Sequence, residues 1–207
     1  MAAQMTNSEG DAAGLAALIA RASEQTGTPG RGLPPVEKWN PPFCGDIDME
    51  IRADGTWFYM GTPIGRAPLV RLFSTVLRKD EDGKTYLVTP VEKLGIRVVD
   101  APFLAVEMQA VDGPGGPVLS FRTNVGDVVE AGSDHPLRFA ISGETGELKP
   151  YLHVRGRLEA LVSRAVMYDL VALGAVVAVD GVDMFAIRSG AELFPIMPAA
   201  ELDRLSQ

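Results

Sequence analysis

The sequence predicts an α+β protein made mostly of short antiparallel strands, arranged as two related sheet-plus-helix halves. Three observations predict it. Ile47, Met49 and Ile51 alternate with Asp46, Asp48, Glu50 and Arg52, which is the period of a half-buried strand. Two Asp-Gly dipeptides, Asp54-Gly55 and Asp180-Gly181, stand between apolar-rich runs, where hairpins place residues that tolerate positive φ. The order turn, strand, arginine, helix and Asp-Gly hairpin also occurs twice, with Arg66 and Leu69 matching Arg155 and Leu158. That recurrence is the signature of an internal duplication.

Composition sets the limits. The chain has 207 residues, 46% apolar and 22% charged, enough for one large or two small domains with a proper core. A net charge of −8 argues against a nucleic-acid polymer, because such binders need a basic face to release counterions. A local basic pocket for one small phosphorylated ligand is compatible with it. Cys44 is the only cysteine, so an intramolecular disulfide and a cysteine zinc site are excluded. Next to acidic Asp46 it reads as a buried, inert thiol. No apolar run approaches the ~20 residues of a membrane span, and no secretory signal pattern opens the chain. The expectation is a cytoplasmic protein.

Residues 1–34 read as an N-terminal helix, "AAGLAALIARASEQ" (12–25), and a Pro/Gly linker, partly disordered. In "GDIDMEIRADGTWFYMG" (45–61) a two-residue turn at Asp54-Gly55 pairs Ile51 with Phe58 and Glu50 with Tyr59. Phe58 and Met60 then join the core face, leaving Trp57 and Tyr59 opposite. "APLVRLFSTVLRK" (67–79) has Leu69, Leu72, Phe73, Val76 and Leu77 at helical spacing, with Arg78 and Lys79 suited to the helix C-terminus. "DEDGKTYLVTP" (80–90) reads as turn and strand, and residues 96–143 as three or four strands between Gly-rich turns. "TGELKPYLHVR" (145–155) is a turn and a strand. "GRLEALVSRAVMYDLVALG" (156–174) reads as a helix stopped by Gly174, and "AVVAVDGVDMFAIRSG" (175–190) as a hairpin. The domains expected are an N-terminal sheet/helix domain, 35–100, and a C-terminal one, 101–207.

Four segments carry a resemblance: "CGDIDMEIRADGTWFYMGTPIGR" (44–66), "LVTPVEKLGIRVVDAPF" (87–103), "SFRTNVGD" (120–127) and "PYLHVRGRLEALVSRAVMYDL" (150–170). From about Pro35 to Leu202 the chain resembles the bacterial family called domain of unknown function 1285. The resemblance implies a duplicated sheet-rich core whose C-terminal half is pleckstrin-homology-like. It also implies a nucleotide-like ligand where the halves meet, and a role in signal transduction, with no reaction attached.

Arg66 and Arg155 each close a strand ahead of an expected helix, with Arg157 beside the second. Helix amides and guanidinium groups converge on anions in such places. The alternative is that they pair with acids such as Glu92 or Asp100. Thr89, Glu92, Lys93, Thr123 and Asn124 stand just past strand ends, as polar pocket groups or as ordinary turn chemistry. Tyr151, His153 and Arg155 share one strand face. Two other readings stand beside binding: an enzyme using His153 with Glu92 as an acid–base pair, and an adaptor docking protein through Trp57 and Tyr59. The leading expectation is a non-catalytic, regulatory binder of a small anionic, nucleotide-like molecule, without cofactor or metal, and with room for a protein partner.

Overall fold

The computed structural model describes Gly14, Ala17 and residues 32–113, 115–143 and 145–205. Gly14 and Ala17 are helical; the rest of the helix expected over 12–25, and the expected disorder, lie outside the described residues. The chain is a mostly-sheet α+β protein in two compact units. One runs to Pro102 and includes Gly156–Leu158, and the other holds Phe103–Arg155 and everything from Glu159.

The first unit contains a 3-10 turn (Val36–Lys38), strands β1 (Phe43–Ile51), β2 (Trp57–Tyr59) and β3 (Thr62–Pro63), and helix α1 (Ala67–Thr75). Strands β4 (Leu77–Lys79), β5 (Thr85–Val88) and β6 (Lys93–Val98) follow. They form one six-stranded sheet in the order β3-β2-β1-β6-β5-β4. β1 and β6 run parallel and the neighbours on either side antiparallel. Two three-strand meanders therefore meet at a central parallel seam, and α1 carries the chain from one edge to the other.

The second unit repeats this plan. Its strands are β7 (Phe103–Val111), β8 (Val118–Thr123), β9 (Val128–Glu130), β10 (Leu137–Ile141), β11 (Leu148–Arg155) and β12 (Leu158–Val162). Their order is β10-β11-β12-β7-β8-β9, with β12 parallel to β7. Read from the first strand of each set, the two orders are identical. Helix α2 (Arg164–Ala172) comes after the sixth strand here, rather than in the crossover, and packs on β7. The link from β9 to β10 contains a turn in which Gly132 N–H donates to His135 C=O at 3.1 Å. So shortened, it cannot cross a flat six-stranded sheet about 24 Å wide, and the sheet curls. A meander of β13 (Ala175–Val179), β14 (Val182–Ser189) and β15 (Glu192–Pro198) follows, then helix α3 (Ala199–Leu205). Buried Ser189 fastens it: its hydroxyl accepts from Leu119 N–H at 2.9 Å and donates to Ala131 C=O at 2.7 Å.

The two-half architecture is therefore present, with a different phase from the one read in the sequence. Arg155 leads into a tight turn and β12, not a helix. The run read as a helix over 156–174 is a strand for its first part. Leu158, Ala160 and Val162 are the buried positions of its period-two pattern. Likewise the first helix ends at Thr75, and Arg78 and Lys79 belong to β4. The segment 96–143 supplies five strands or parts of strands.

The hairpin at Asp54-Gly55 also differs. Ile51 pairs with Trp57, Glu50 with Phe58 and Met49 with Tyr59, one residue from the expected register. Gly55 alone in this turn has positive φ, +79°. Its N–H donates to Arg52 C=O at 2.9 Å, and Arg52 N–H donates to Thr56 C=O at 3.0 Å. This is a three-residue loop with a glycine bulge. A one-residue slip exchanges the faces. Trp57 is 1% exposed and stacks on Phe73 of α1 with centroids 6.3 Å apart. Phe58 instead lies under Arg52, whose guanidinium carbon is 3.5 Å from the ring centroid.

Trp57 is thus a keystone of the first unit's core. Trp57→Ala is expected to cost about 3–5 kcal/mol in urea denaturation. Trp57→Phe should cost less, because the Trp57 Nε1 it removes is buried without a hydrogen-bond partner.

Candidate functional site

The site is built at one end of the first sheet. β4 ends at Lys79, and a tight turn closes with Gly83 N–H on Asp80 C=O at 3.1 Å and Asp80 N–H on Lys84 C=O at 3.0 Å. Asp82 stiffens it by accepting from Lys84 N–H at 2.9 Å. Because Lys79 pairs with Thr85, the turn brings Lys79, Lys84 and Thr85 to one place. β6 adds Ile96, Arg97 and Val98, and the seam with β1 adds Asp46 and Ile47. Together with Asp100 and Pro102 they line a cleft of about 460 Å³.

Gly95 shapes its floor. It stands opposite Asp46 in the parallel seam, and a Cβ there would lie 1.9 Å from Asp46 Oδ1. Only a bare strand position lets that carboxylate fold across the seam. Among the cleft's cations, Arg97 reaches Glu50 at 3.1 Å. Lys79 and Lys84 take part in no ion pair among the described residues.

A second cluster sits on the same strands. The buried Arg78 guanidinium donates to Val36 C=O at 2.9 Å and Trp39 C=O at 2.7 Å. It also pairs with Asp80 at 2.6 Å. Lys93 Nζ reaches Asp80 at 3.0 Å and lies 4.5 Å from the Tyr86 ring centroid. Burial raises the Asp80 carboxyl, but hydrogen bonds and charge from Arg78 and Lys93 outweigh it and hold it below its usual 3.8. Tyr86 donates to Asp82 at 2.6 Å, and chiefly for that reason its phenol is pushed up to about 12.

The residues expected to bind a ligand are distributed differently. Thr89 Oγ1 accepts from Glu92 N–H at 3.2 Å and closes its own turn, leaving Thr89 3% exposed. Lys93 is held by Asp80. Thr123 is fully buried and accepts from Asp127 N–H at 3.0 Å. Asn124 accepts from Leu104 N–H at 3.0 Å. Arg155 meets Asp127 at 2.6 Å and lies over Phe103, and Arg157 meets Glu81 at 2.8 Å. Arg66 is exposed at the N-cap of α1. Tyr151 lies under Arg138, 4.2 Å from its guanidinium carbon. His153 stacks on His135 with centroids 5.6 Å apart, and its Nδ1 is 3.0 Å from Asp134 C=O. Glu92 belongs to the first unit and His153 to the second.

None of these residues lines the cleft. The signal that marks it in the sequence is "RKDEDGK" (78–84), a basic pair and a lysine around a tight turn. Cys44, expected to be buried, is exposed, because the pattern of burial in β1 begins only toward its far end. The adaptor face is absent as drawn, since Trp57 is in the core. Among the described residues no three metal-ligating side chains come together, and no helix is long and apolar enough to cross a membrane.

Fold and topology thus define a sheet-rich α+β protein with a duplicated strand plan. The chain belongs to the family described as domain of unknown function 1285: its N-terminal domain matches residues 34–101 and its C-terminal domain residues 102–196. The crystal structure of a family member from Silicibacter pomeroyi DSS-3 is 49% identical, with a TM-score of 0.78 over 90% of this chain and 98% of that one. A member from Shewanella baltica OS155 is 28% identical, with a TM-score of 0.48 over 60% of this chain and 90% of that one. No curated protein matches the sequence.

The Asp80 cluster has a pH consequence. A carboxyl lowered in the folded state contributes stability above its unfolded value and loses it as pH falls through the folded one. Stability to urea is expected to decline below about pH 3.8, with Asp80→Asn removing part of that slope.

Proposed function

We propose that this protein is a non-catalytic, regulatory binder of a small anionic, nucleotide-like molecule, acting in signal transduction, and that the ligand enters the cleft of the first unit. The observation that carries this reading is the pair Lys79 and Lys84 on one cleft of about 460 Å³. That volume falls in the range of about 300–1,000 Å³ typical of small-molecule sites. In a chain of net charge −8, cations outside any ion pair are where an anion finds its contacts. Arg97 reinforces them from β6, and Thr85 and the carboxylates of Asp46 and Asp100 supply groups that orient a hydroxylated or base-bearing partner.

A binder of the native state raises apparent stability by mass action. Thermal shift against inorganic phosphate and nucleoside mono-, di- and triphosphates is expected to show a concentration-dependent rise in Tm. Lys79→Ala and Lys84→Ala should each weaken it at least about tenfold, the scale of one charge-assisted hydrogen bond. No shift with any of these ligands, or a shift unchanged in the double variant, overturns the reading.

A further inference from the structure

Among the described residues three sheets present six edges, and five of the six are guarded in the ways that keep folded chains from pairing through them. β3 is two residues long and contains Pro63. β4 carries Arg78 and Lys79 and packs against the 3-10 turn. β9 is three residues long and ends in Glu130. β10 carries Arg138, paired with Glu159, and has β15 against it. β15 itself contains Pro195 and Pro198. The sixth edge, β13, is Ala175-Val176-Val177-Ala178-Val179: five residues without a charge or a proline. Among the described residues only β14 is paired with it.

The register shows which groups face outward. Asp180 and Gly181 both have positive φ, +50° and +82°, and Val179 pairs with Val182, so the hairpin has a two-residue type I′ turn. The pair flanking such a turn is hydrogen-bonded, and bonding alternates along the strand. Ala175, Val177 and Val179 therefore direct their backbone groups to β14, whereas Val176 and Ala178 direct theirs to the open edge. Both are exposed.

We propose that β13 pairs antiparallel with β13 of a second copy of this chain, about a two-fold axis at Val177. The sequence fits itself in that register. Val177 opposes the partner's Val177, Val176 opposes the partner's Ala178, and Ala175 opposes the partner's Val179, so every off-axis valine meets an alanine. The two outward-facing residues on each side form about four backbone hydrogen bonds across the axis. Leu173, 49% exposed, and Val182, 50% exposed, extend the apolar surface beyond the strand ends. No charge on the strand opposes the approach of an identical acidic chain. The area is small, which sets the class of interface as weak and reversible.

Sedimentation equilibrium on the full chain tests this. From low micromolar to millimolar concentration the mean mass is expected to rise from 22.1 kDa toward twice that value. Val176→Lys places a charge on the exposed edge, and Ala178→Pro removes an outward N–H while leaving the strand uncharged. Both are expected to hold the protein at monomer mass with an unchanged far-ultraviolet circular dichroism spectrum. A wild-type chain that stays monomeric throughout overturns the proposal, and so does a dimer that survives both substitutions.

Discussion

The parallel seam at the centre of each six-stranded sheet is the constraint on which the other features rest. Antiparallel meanders form from local turns, but a parallel neighbour requires the chain to travel to the far edge and return. β1 beside β6, and β7 beside β12, fix the strand order of both units once those pairs exist. In the first unit the seam also determines the cleft. Asp46 can fold over β6 only because Gly95 has no side chain, and the same strand then presents Arg97 and Val98 at the end where Lys79 and Lys84 stand.

The same dipeptide makes two different turns in this chain, which shows what local sequence can and cannot fix. At Asp180-Gly181 both residues take positive φ and the strands pair directly across them. At Asp54-Gly55 the aspartate stays at negative φ, and its carboxylate accepts from Thr56 N–H at 2.9 Å, leaving glycine to form a bulge. The difference moves Trp57 from the solvent face to the core. What selects between them is tertiary: Trp57 has Phe73 of α1 to pack against, a partner no window around the turn contains. Alternation in β1 and the apolar stripe of α1 were legible because each is a property of one segment. The strand β12 was not, since a short apolar run fits a buried strand as well as a helix. Its partner β7 lies some 55 residues earlier in the chain.

The polar residues expected at a ligand site show a related ambiguity. Hydroxyl and amide groups past strand ends suit a ligand and a turn equally well, and Thr89, Thr123 and Asn124 are engaged by backbone within a few residues or across one strand. Lys93 and Arg155 are engaged by carboxylates. In an acidic chain most guanidinium groups find an acid, and exposed pairs such as Arg157 with Glu81 contribute at most about 1 kcal/mol. Buried Arg78 is different in kind. It satisfies two main-chain carbonyls of the segment that enters β1. Without it Val36 C=O would keep only Trp39 N–H at 3.2 Å, and the part-buried Trp39 C=O would lose this donor, at a cost of about 1–3 kcal/mol. A residue read as a helix-end charge therefore holds the entry to the first sheet.

The two lysines of the cleft follow the opposite logic. A hollow of about 460 Å³ is about 10 Å across, close to the Debye length at physiological ionic strength. Like charges placed around it are only partly screened from each other. Neither lysine has an ion-pair partner among the described residues, although the carboxylates of Asp46 and Asp100 share the lining. The neighbouring Asp80 does not serve, because Arg78 and Lys93 already occupy its two oxygens. The arrangement thus separates two placements of positive charge on adjacent positions of one strand: Arg78 is spent inward on the fold, and Lys79 faces the cleft.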